Sequence, residues 1–366
     1  MENLGVRGKA LEFFAKAHDH LRAILKEQNL DGALVTDLAN VRRLCGFTGS
    51  NGALLITHSD ALFLTDSRYT TQALAETSDV EVREGGGKKL PFGALINDLC
   101  LERVGYEGQN LNCAAFRSLK EKAKSVELCD LGDAVSKIRQ LKGPQEIEKM
   151  LAASGLAEEA LKEAIRLFKP GVTELEIAAE FQIAVIRRGG KLSFDVIVAG
   201  GPNAAMPHAM PGKRKFAEGD LVVVDFGVLL DGYCSDQTVT IPVGRVSDNF
   251  LEVYEVVKRA QDAAISAAVP GATLGAVDSA ARDVIAAAGF GDYFGHATGH
   301  GLGLEVHELP VVAPKASEVV KEGMVFTVEP GIYIPGEVGV RLEDVVYINS
   351  DGNELLSTLN KDFGSI

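Results

Sequence analysis

A duplication in the second half of the chain constrains the fold more than any other feature. Pro170-Gly171-Val172-Thr173 is echoed one hundred positions later by Pro270-Gly271-Ala272-Thr273. The run Glu218-Gly219-Asp220-Leu221-Val222-Val223-Val224-Asp225 returns, in the same order and at nearly the same offset, as Glu322-Gly323-Met324-Val325-Phe326-Thr327-Val328-Glu329. Two repeats of helix, helix and strand hairpin predict one pseudo-symmetric domain. In such a domain corresponding strands meet near the local two-fold axis, so Asp225 and Glu329 should converge.

The acids gain meaning from that placement. Asp225 interrupts the apolar run Leu221 to Leu230, and a carboxylate in a buried run asks for a partner. A turn at Leu230-Asp231-Gly232 folds Asp236 back toward it, within about 8 Å in a hairpin. The second hairpin repeats the device: Glu329 precedes Pro330-Gly331, the chain turns near Pro335-Gly336, and Glu343 returns in Val340-Arg341-Leu342-Glu343. Four carboxylates crowded at low dielectric require cations or shared protons.

Four of the seven histidines lie late in the chain: His208, His296, His300 and His307. The glycines around His296 and His300 predict backbone packed closely against a site rather than a regular helix, so this i, i+4 pair need not share a helical face. Oxygen-rich ligation with a single imidazole suits hard or borderline divalent ions, and four acids can neutralise two of them. A pair of cations sharing carboxylates is a known solution for amide hydrolysis. Manganese is the favoured ion, with zinc, cobalt and iron as alternatives. Taken singly, an Asp beside a turn is ordinary turn chemistry and a His is usually a satisfied polar residue. The matched placement of both acid pairs is what singles out the set. His18, His20, His58 and Cys234 read as structural or surface residues.

The remainder of the chain is organised differently. Its 366 residues predict two or three domains. From about His18 to Asp130, short apolar runs alternate with amphipathic stretches, and residues 32–36, 53–57 and 61–65 read as strands of an α/β domain. A long helix is expected from Pro144 to Phe168, started by Lys142-Gly143-Pro144. The boundary falls near residue 138. With 37 basic against 51 acidic side chains, a net charge of −14 and no basic stripe, nucleic acid is excluded as a partner. No run reaches the roughly 18–20 apolar residues of a membrane span, and no signal-type apolar stretch follows the first residues. The five cysteines, Cys45, Cys100, Cys113, Cys129 and Cys234, are scattered without a CxxC pair, which fits a reducing cytoplasm rather than a disulfide framework or zinc ribbon.

At these residues the sequence resembles the Xaa-Pro peptidase branch of the methionine-aminopeptidase superfamily, the aminopeptidase P and prolidase group. Residues 40–50 and Thr65-Asp66-Ser67-Arg68-Tyr69 resemble the creatinase-type N-terminal domain. The C-terminal match runs through Ser193-Phe194-Asp195, Pro207-His208-Ala209, the Asp225 and Asp236 segment, the three-histidine segment, Val328-Glu329-Pro330-Gly331-Ile332-Tyr333 and Val340-Arg341-Leu342-Glu343-Asp344. The resemblance implies an α/β creatinase-like domain over 1–138 and a pseudo-symmetric "pita-bread" metallopeptidase domain over 139–366. It implies that Asp225, Asp236, His300, Glu329 and Glu343 hold two divalent ions, Asp236 and Glu343 bridging them. His208, His296 and His307 match the family's substrate and transition-state histidines, and Glu329 is placed to carry a proton to the leaving nitrogen. Arg341, two residues from Glu343 and so on the same strand face, would orient the acids.

The implied substrates are peptides with proline in the second position, and the implied assembly is a homodimer. The Xaa-Pro bond is a tertiary amide without an N–H, which defeats peptidases that read that N–H. Prolidases need a cation for the carboxylate of proline itself, often an arginine after the last histidine, and Glu308-Leu309-Pro310-Val311-Val312-Ala313-Pro314 has none. That favours an aminopeptidase P-like enzyme acting on longer peptides. A strict Xaa-Pro dipeptidase is the alternative, followed by a non-catalytic or creatinase-like relative.

Overall fold

In the first third of the chain, three unbroken apolar runs become the middle of a six-stranded sheet. The computed structural model describes residues 2–85 and 91–365. The strands are β1 (Gly32–Val35), β2 (Gly52–Thr57), β3 (Ala61–Thr65), β4 (Glu81–Glu84), β5 (Arg103–Tyr106) and β6 (Glu127–Asp130), in the order β4-β3-β2-β1-β5-β6. β2 pairs antiparallel with both β1 and β3, while the outer pairings are parallel. The central strands read as continuous apolar runs because both faces are covered. Ala33, Val35, Leu54, Ile56 and Phe63 point to one core, shared with α1 (Glu2–Glu27) and α2 (Leu38–Cys45). Leu34, Ala53, Leu55, Leu62 and Leu64 point to the other, shared with α4 (Phe92–Asp98) and α5 (Cys113–Lys122); α3 (Thr70–Glu76) precedes β4.

The turn from β1 into α2 is fastened by buried Glu107. Its carboxylate accepts from Thr36 N at 2.6 Å, Asp37 N at 2.8 Å and Asn40 Nδ2 at 2.5 Å. Asp37 in turn caps α2, accepting from the amides of Ala39 and Asn40.

The chain divides into two compact units, Met1–Arg139 and Gln140–Ile366, with α6 (Ser136–Gln140) running through the division. In the second unit the duplication is visible bond by bond. Each repeat opens with two helices: α7 (Pro144–Ala164) and α8 (Glu174–Arg187), then α9 (Asp248–Ala267) and α10 (Leu274–Ala287). Thr173 caps α8 through Glu176 N at 3.2 Å, and Thr273 caps α10 through Ala276 N at 3.1 Å. Gly171 and Gly271 both stand at positive φ, +91° and +88°. Their amides donate to Phe216 O and Val320 O, and those residues donate back to Val172 O and Ala272 O. α7 stops at Ala164 and its last turn tightens to a 3₁₀ turn, Ile165–Leu167, short of the expected Phe168. Pro170 disfavours helical backbone at the residue before it, so the helix winds down early.

The strands of the first repeat are β7 (Lys191–Leu192), β8 (Ile197–Gly200), β9 (Leu221–Phe226), β10 (Val228–Leu230), β11 (Tyr233–Cys234) and β12 (Gln237–Pro242). Those of the second are β13 (Gly299–Gly301), β14 (Glu308–Val312), β15 (Val325–Val328), β16 (Gly331–Ile334), β17 (Val338–Arg341), β18 (Asp344–Asn349) and β19 (Gly352–Leu355). Each repeat buries its own core, one around Phe181, Val224 and Val239, the other around Tyr254, Phe326 and Val340. The repeats are stitched where β12 meets the β17–β18 junction: Glu343 N donates to Thr238 O at 3.0 Å and Thr240 Oγ1 to Arg341 O at 2.8 Å. All five cysteines are unpaired, and no described helix is long and apolar enough to cross a membrane.

Candidate metal centre and active-site cavity

Both hairpins carry their acids at a break between two ladders. In the first, Asp231 and Gly232 form a two-residue loop, both at positive φ (49° and 82°), between the paired Leu230 and Tyr233. This is the geometry an Asp-Gly turn favours. Asp225 lies opposite Thr238 on β9, and Asp236 immediately precedes β12. In the second, the inner ladder ends at Val328 opposite Asp344 and the outer one begins at Gly331 opposite Arg341. Glu329 and Glu343 therefore sit in the gap between them.

His300 reaches the same place from β13, not from a helix. A Cβ on Gly299 would run into the carbonyl of Thr327, and one on Gly301 into the carbonyl of Leu309. Only glycine lets the backbone beside His300 approach its neighbours so closely. Asp225, Asp236, His300, Glu329 and Glu343 thus converge on one cavity of about 810 Å³, which His208, His296, His307 and Arg341 also line. Ligating atoms of Asp236, His300 and Glu343 all lie within 4.8 Å of one another. His300 Nε2 stands 3.3 Å from Glu329 Oε1 and 3.6 Å from Asp236 Oδ2.

Two observations test whether this set fits a cation. His300 Nδ1 lies 3.1 Å from Gly301 O, and a carbonyl only accepts, so the ring proton is assigned to Nδ1. The lone pair of Nε2 then faces carboxylate oxygens, an arrangement that needs positive charge between them. In addition, Asp225 Oδ1 is buried and has no hydrogen-bond partner among the described residues. The residues fit a divalent ion of the oxygen-preferring kind.

The electrostatics agree. Burial first, then the charges of the neighbouring acids, push Asp236 and Glu343 well above the usual carboxylate range. Burial raises Glu329 to about 7, and it raises Asp225 against the opposing pull of Arg341. His300 is lowered to about 4 by burial and by the adjacent His307, so it is neutral at physiological pH.

Arg341 is buried and spends its guanidinium on four partners. It donates to Asp225 Oδ2 at 2.7 Å, Tyr333 OH at 2.9 Å, Thr238 Oγ1 at 3.1 Å and Pro207 O at 3.3 Å. Its ion pair is with Asp225, across the repeats, while Glu343 is held by the hydroxyl of Thr238 at 2.7 Å and, through its carbonyl, by Lys361. His296 is neutral, its pKa lowered to about 4 by burial. Its Nδ1 lies 2.7 Å from Ala297 O and its Nε2 3.0 Å from Tyr333 OH. The consistent proton assignment runs from Arg341 to the tyrosine oxygen and from the tyrosine hydroxyl to His296. His208 and His307 are exposed at the cavity's edge; among the described residues neither ring nitrogen has a hydrogen-bond partner, and the His307 ring packs edge-on against His300 at 4.2 Å.

Three hydroxyls escaped the sequence reading. Tyr333, Thr238 and Thr327 carry no spacing signature of their own, yet Thr327 Oγ1 accepts from His300 N at 3.1 Å and donates to Glu329 Oε1 at 3.2 Å. A period-two reading finds two of them: Thr238 follows Asp236 by two, and Thr327 precedes Glu329 by two, on the same strand faces.

The chain is 35% identical over 345 residues to an Xaa-Pro dipeptidase of Pyrococcus furiosus, covering 94% of this chain and 98% of the relative. Among solved structures it superimposes on an Xaa-Pro dipeptidase from Bacillus anthracis with a TM-score of 0.92 at 36% identity, covering 96% and 99% of the two chains. It also superimposes on an X-Pro aminopeptidase from Thermotoga maritima with a TM-score of 0.85 at 36% identity, covering 92% and 97%. Residues 18–141 match the creatinase/prolidase N-terminal domain, and residues 148–350, with every acid and histidine of the cavity among them, match the model of metallopeptidase family M24. The chain belongs to metallopeptidase family M24, with a creatinase/prolidase N-terminal domain ahead of a pita-bread catalytic domain.

Proposed function

We propose that this protein hydrolyses the Xaa-Pro bond at the N-terminus of peptides longer than two residues, using two divalent cations held by Asp225, Asp236, His300, Glu329 and Glu343. The observation that carries the reading is the convergence of these five side chains on one cavity, with Asp225 Oδ1 unpartnered and the His300 lone pair aimed at carboxylates. When bound, the cations supply Lewis acidity and lower the pKa of a water at neutral pH. Manganese suits four carboxylates and one imidazole.

The chain's own groups do the rest. Glu329, which lines the cavity beside the other acids, takes a proton from the attacking water and passes it to the departing proline nitrogen. His208 and His307, exposed and with free ring nitrogens, donate to substrate oxygens, including the oxyanion as charge develops there. His296 and Tyr333 form a hydrogen-bonded wall against which the scissile peptide group lies. Arg341 holds Asp225 and the Tyr333 hydroxyl in register.

Preference for longer peptides follows from the charges at the cavity. Arg341 is the only lysine or arginine among its described lining residues, and it is committed to Asp225. The exposed Asp195 and Asp292 at the lining add negative charge instead. A dipeptide's proline carboxylate therefore meets no uncommitted lysine or arginine among the described lining residues, whereas the amide of a longer substrate needs none. The homodimer expected from the family reading is tested by sedimentation of the same preparation.

The deciding experiment is a metal-reconstituted assay on Xaa-Pro, Xaa-Pro-Yaa and longer peptides, with metal content measured on the same sample. Activity lost on chelation, restored by Mn²⁺ and greater on Xaa-Pro-Yaa is expected. Equal activity without metal would refute the mechanism, and activity confined to Xaa-Pro would assign the protein as a dipeptidase.

A further inference from the structure

The segment between α10 and β13 carries His296 into the cavity without regular secondary structure beyond the short 3₁₀ turn Gly291–Tyr293. Its carbonyls have no ladder to bond to, so something else must fix them. A single ion pair on α10 does so. Asp278 and Arg282 stand one helical turn apart, and Arg282 Nε and Nη2 reach the two carboxylate oxygens of Asp278 at 2.9 and 2.8 Å. Two of the three remaining guanidinium hydrogens go to the loop: Nη1 donates to Phe294 O at 3.1 Å and Nη2 to His296 O at 2.9 Å. Asp278 Oδ1 also accepts from Thr298 Oγ1 at 2.8 Å, on the other side of His296. The guanidinium lies over the Phe294 ring at 4.3 Å, and that ring meets His296 edge-on at 5.0 Å.

We infer that the Asp278–Arg282 pair is a clamp that positions His296 for the reaction, gripping its loop at Phe294, at His296 itself and at Thr298. The arrangement is more than a surface ion pair. Asp278 is 1% exposed and Thr298 wholly buried. The bidentate fork fixes the guanidinium plane, and that plane sets the direction of the two donors that reach the loop. Thr298 also passes the constraint inward, since its carbonyl accepts from Glu329 N at 2.8 Å. Neither Asp278 nor Arg282 is among the residues lining the cavity, so both act through the loop.

The inference rests on the proposed role of His296 against the substrate. It is tested by a double-mutant cycle on the metal-loaded protein. Arg282→Ala should lower kcat by about 10²-fold, the scale of a misplaced catalytic group, with KM changed less than about threefold. In a His296→Ala background the same substitution should cost less than about threefold, because the group it positions is gone. Millimolar guanidinium should restore part of the Arg282→Ala rate and none of the His296→Ala rate. Arg282→Lys, which keeps the charge but loses the fork, gives an intermediate loss and carries the cycle if the alanine variant does not fold.

A readout independent of turnover accompanies the rates. In the protein loaded with diamagnetic Zn²⁺, the ring ¹⁵N resonances of His296 report its tautomer and its bond to Tyr333, and they should move in Arg282→Ala while metal stoichiometry holds. Equal losses in both backgrounds, or unmoved His296 resonances, would overturn the clamp. A wild-type protein inactive on every proline peptide would refute the proposed activity instead, and the resonances would still read the clamp.

Discussion

Arg341 offers a quantitative test of how the two repeats are joined. Replacing it with methionine keeps an unbranched stem and removes every side-chain hydrogen bond, leaving the Asp225 carboxylate, already unpartnered at Oδ1, with no cationic side chain at Oδ2. Breaking a buried ion pair from one side costs about 3–5 kcal/mol, because the surviving charge stays buried. For a unit the size of residues 140–366, each kcal/mol moves Tm by about 2–4 °C. The expected fall in the chelated protein is therefore about 6–20 °C in the transition of the catalytic unit, read by calorimetry.

Two controls separate the causes. In an Asp225→Asn background no carboxylate is stranded, and Arg341→Met should cost about 1–2 kcal/mol net, because the lost bonds to Tyr333, Thr238 and Pro207 are partly offset by no longer burying a guanidinium without its ion-pair partner. With saturating Mn²⁺ the ion supplies the positive charge Asp225 lacks, so the same substitution should lower Tm by about half as much as in the chelated protein. A fall below about 3 °C in the chelated protein, or an equal fall in the Asp225→Asn background, would refute the assignment of the penalty to a stranded carboxylate.

In the N-terminal unit, burial raises the Glu107 pKa above the ordinary carboxylate range, so the folded state binds its proton more tightly than the unfolded chain does. Its contribution is greatest below the unfolded pKa and is lost as pH rises through the folded one. Glu107→Gln should flatten that dependence, comparing better with wild type at about pH 7 than at about pH 4 in urea titrations, while Glu107→Ala strands the Thr36, Asp37 and Asn40 donors and costs about 3 kcal/mol or more. Gly299→Ala drives a methyl into the Thr327 carbonyl beside His300 and should weaken metal binding by about 10–100-fold in a chelator-competition titration; undiminished affinity would show that the close approach is dispensable. Val311→Arg puts a cation at an exposed, cavity-lining position of β14 and should raise kcat/KM for Xaa-Pro relative to Xaa-Pro-Yaa by about 3–10-fold, the worth of one exposed charge-assisted contact; an unchanged ratio would mean that the missing cation does not set peptide length.

Local chemistry made part of this site readable. Asp231-Gly232 announces a tight hairpin because both positions need positive φ, and that turn fixes Asp225 near Asp236. The second acid pair could be placed by analogy, because Gly171 and Gly271, and Thr173 and Thr273, perform the same turns and caps in each repeat. The apolar runs of β1 to β3 identified the N-terminal sheet, since strands covered on both faces cannot alternate. What stayed hidden is non-local. The Thr238–Glu343 bridge joins residues more than a hundred positions apart, and nothing at either position signals the other. Tyr333 stands in a quoted motif, yet its role comes from Arg341 on the neighbouring strand and His296 on a distant loop.

The acids and the histidines are held by different means, and the difference has a physical cause. The four carboxylates sit on or beside strands whose ladders are locked by two buried cores, the placement that crowded like charges demand, because any slack would let them separate. Three of the four histidines come from irregular segments whose backbone has no ladder to fix it, so each segment needs an anchor. Glu174 at the start of α8 supplies one, accepting from Gly200 N, Asn203 Nδ2 and Gly212 N at 2.9–3.0 Å and so closing both ends of the loop that bears His208. Lys142 supplies another, paired at 2.5 Å with Glu308 next to His307, both side chains almost wholly buried. The Asp278–Arg282 pair does the same for His296. In each case an ionised side chain outside the cavity grips the segment, and a charged group makes stronger hydrogen bonds than a neutral one and penalises any segment that drifts from it. The cavity-lining histidines can therefore ride on irregular loops without loosening the acid cluster, and under the proposed function a change in one anchor should alter substrate handling before it alters metal binding.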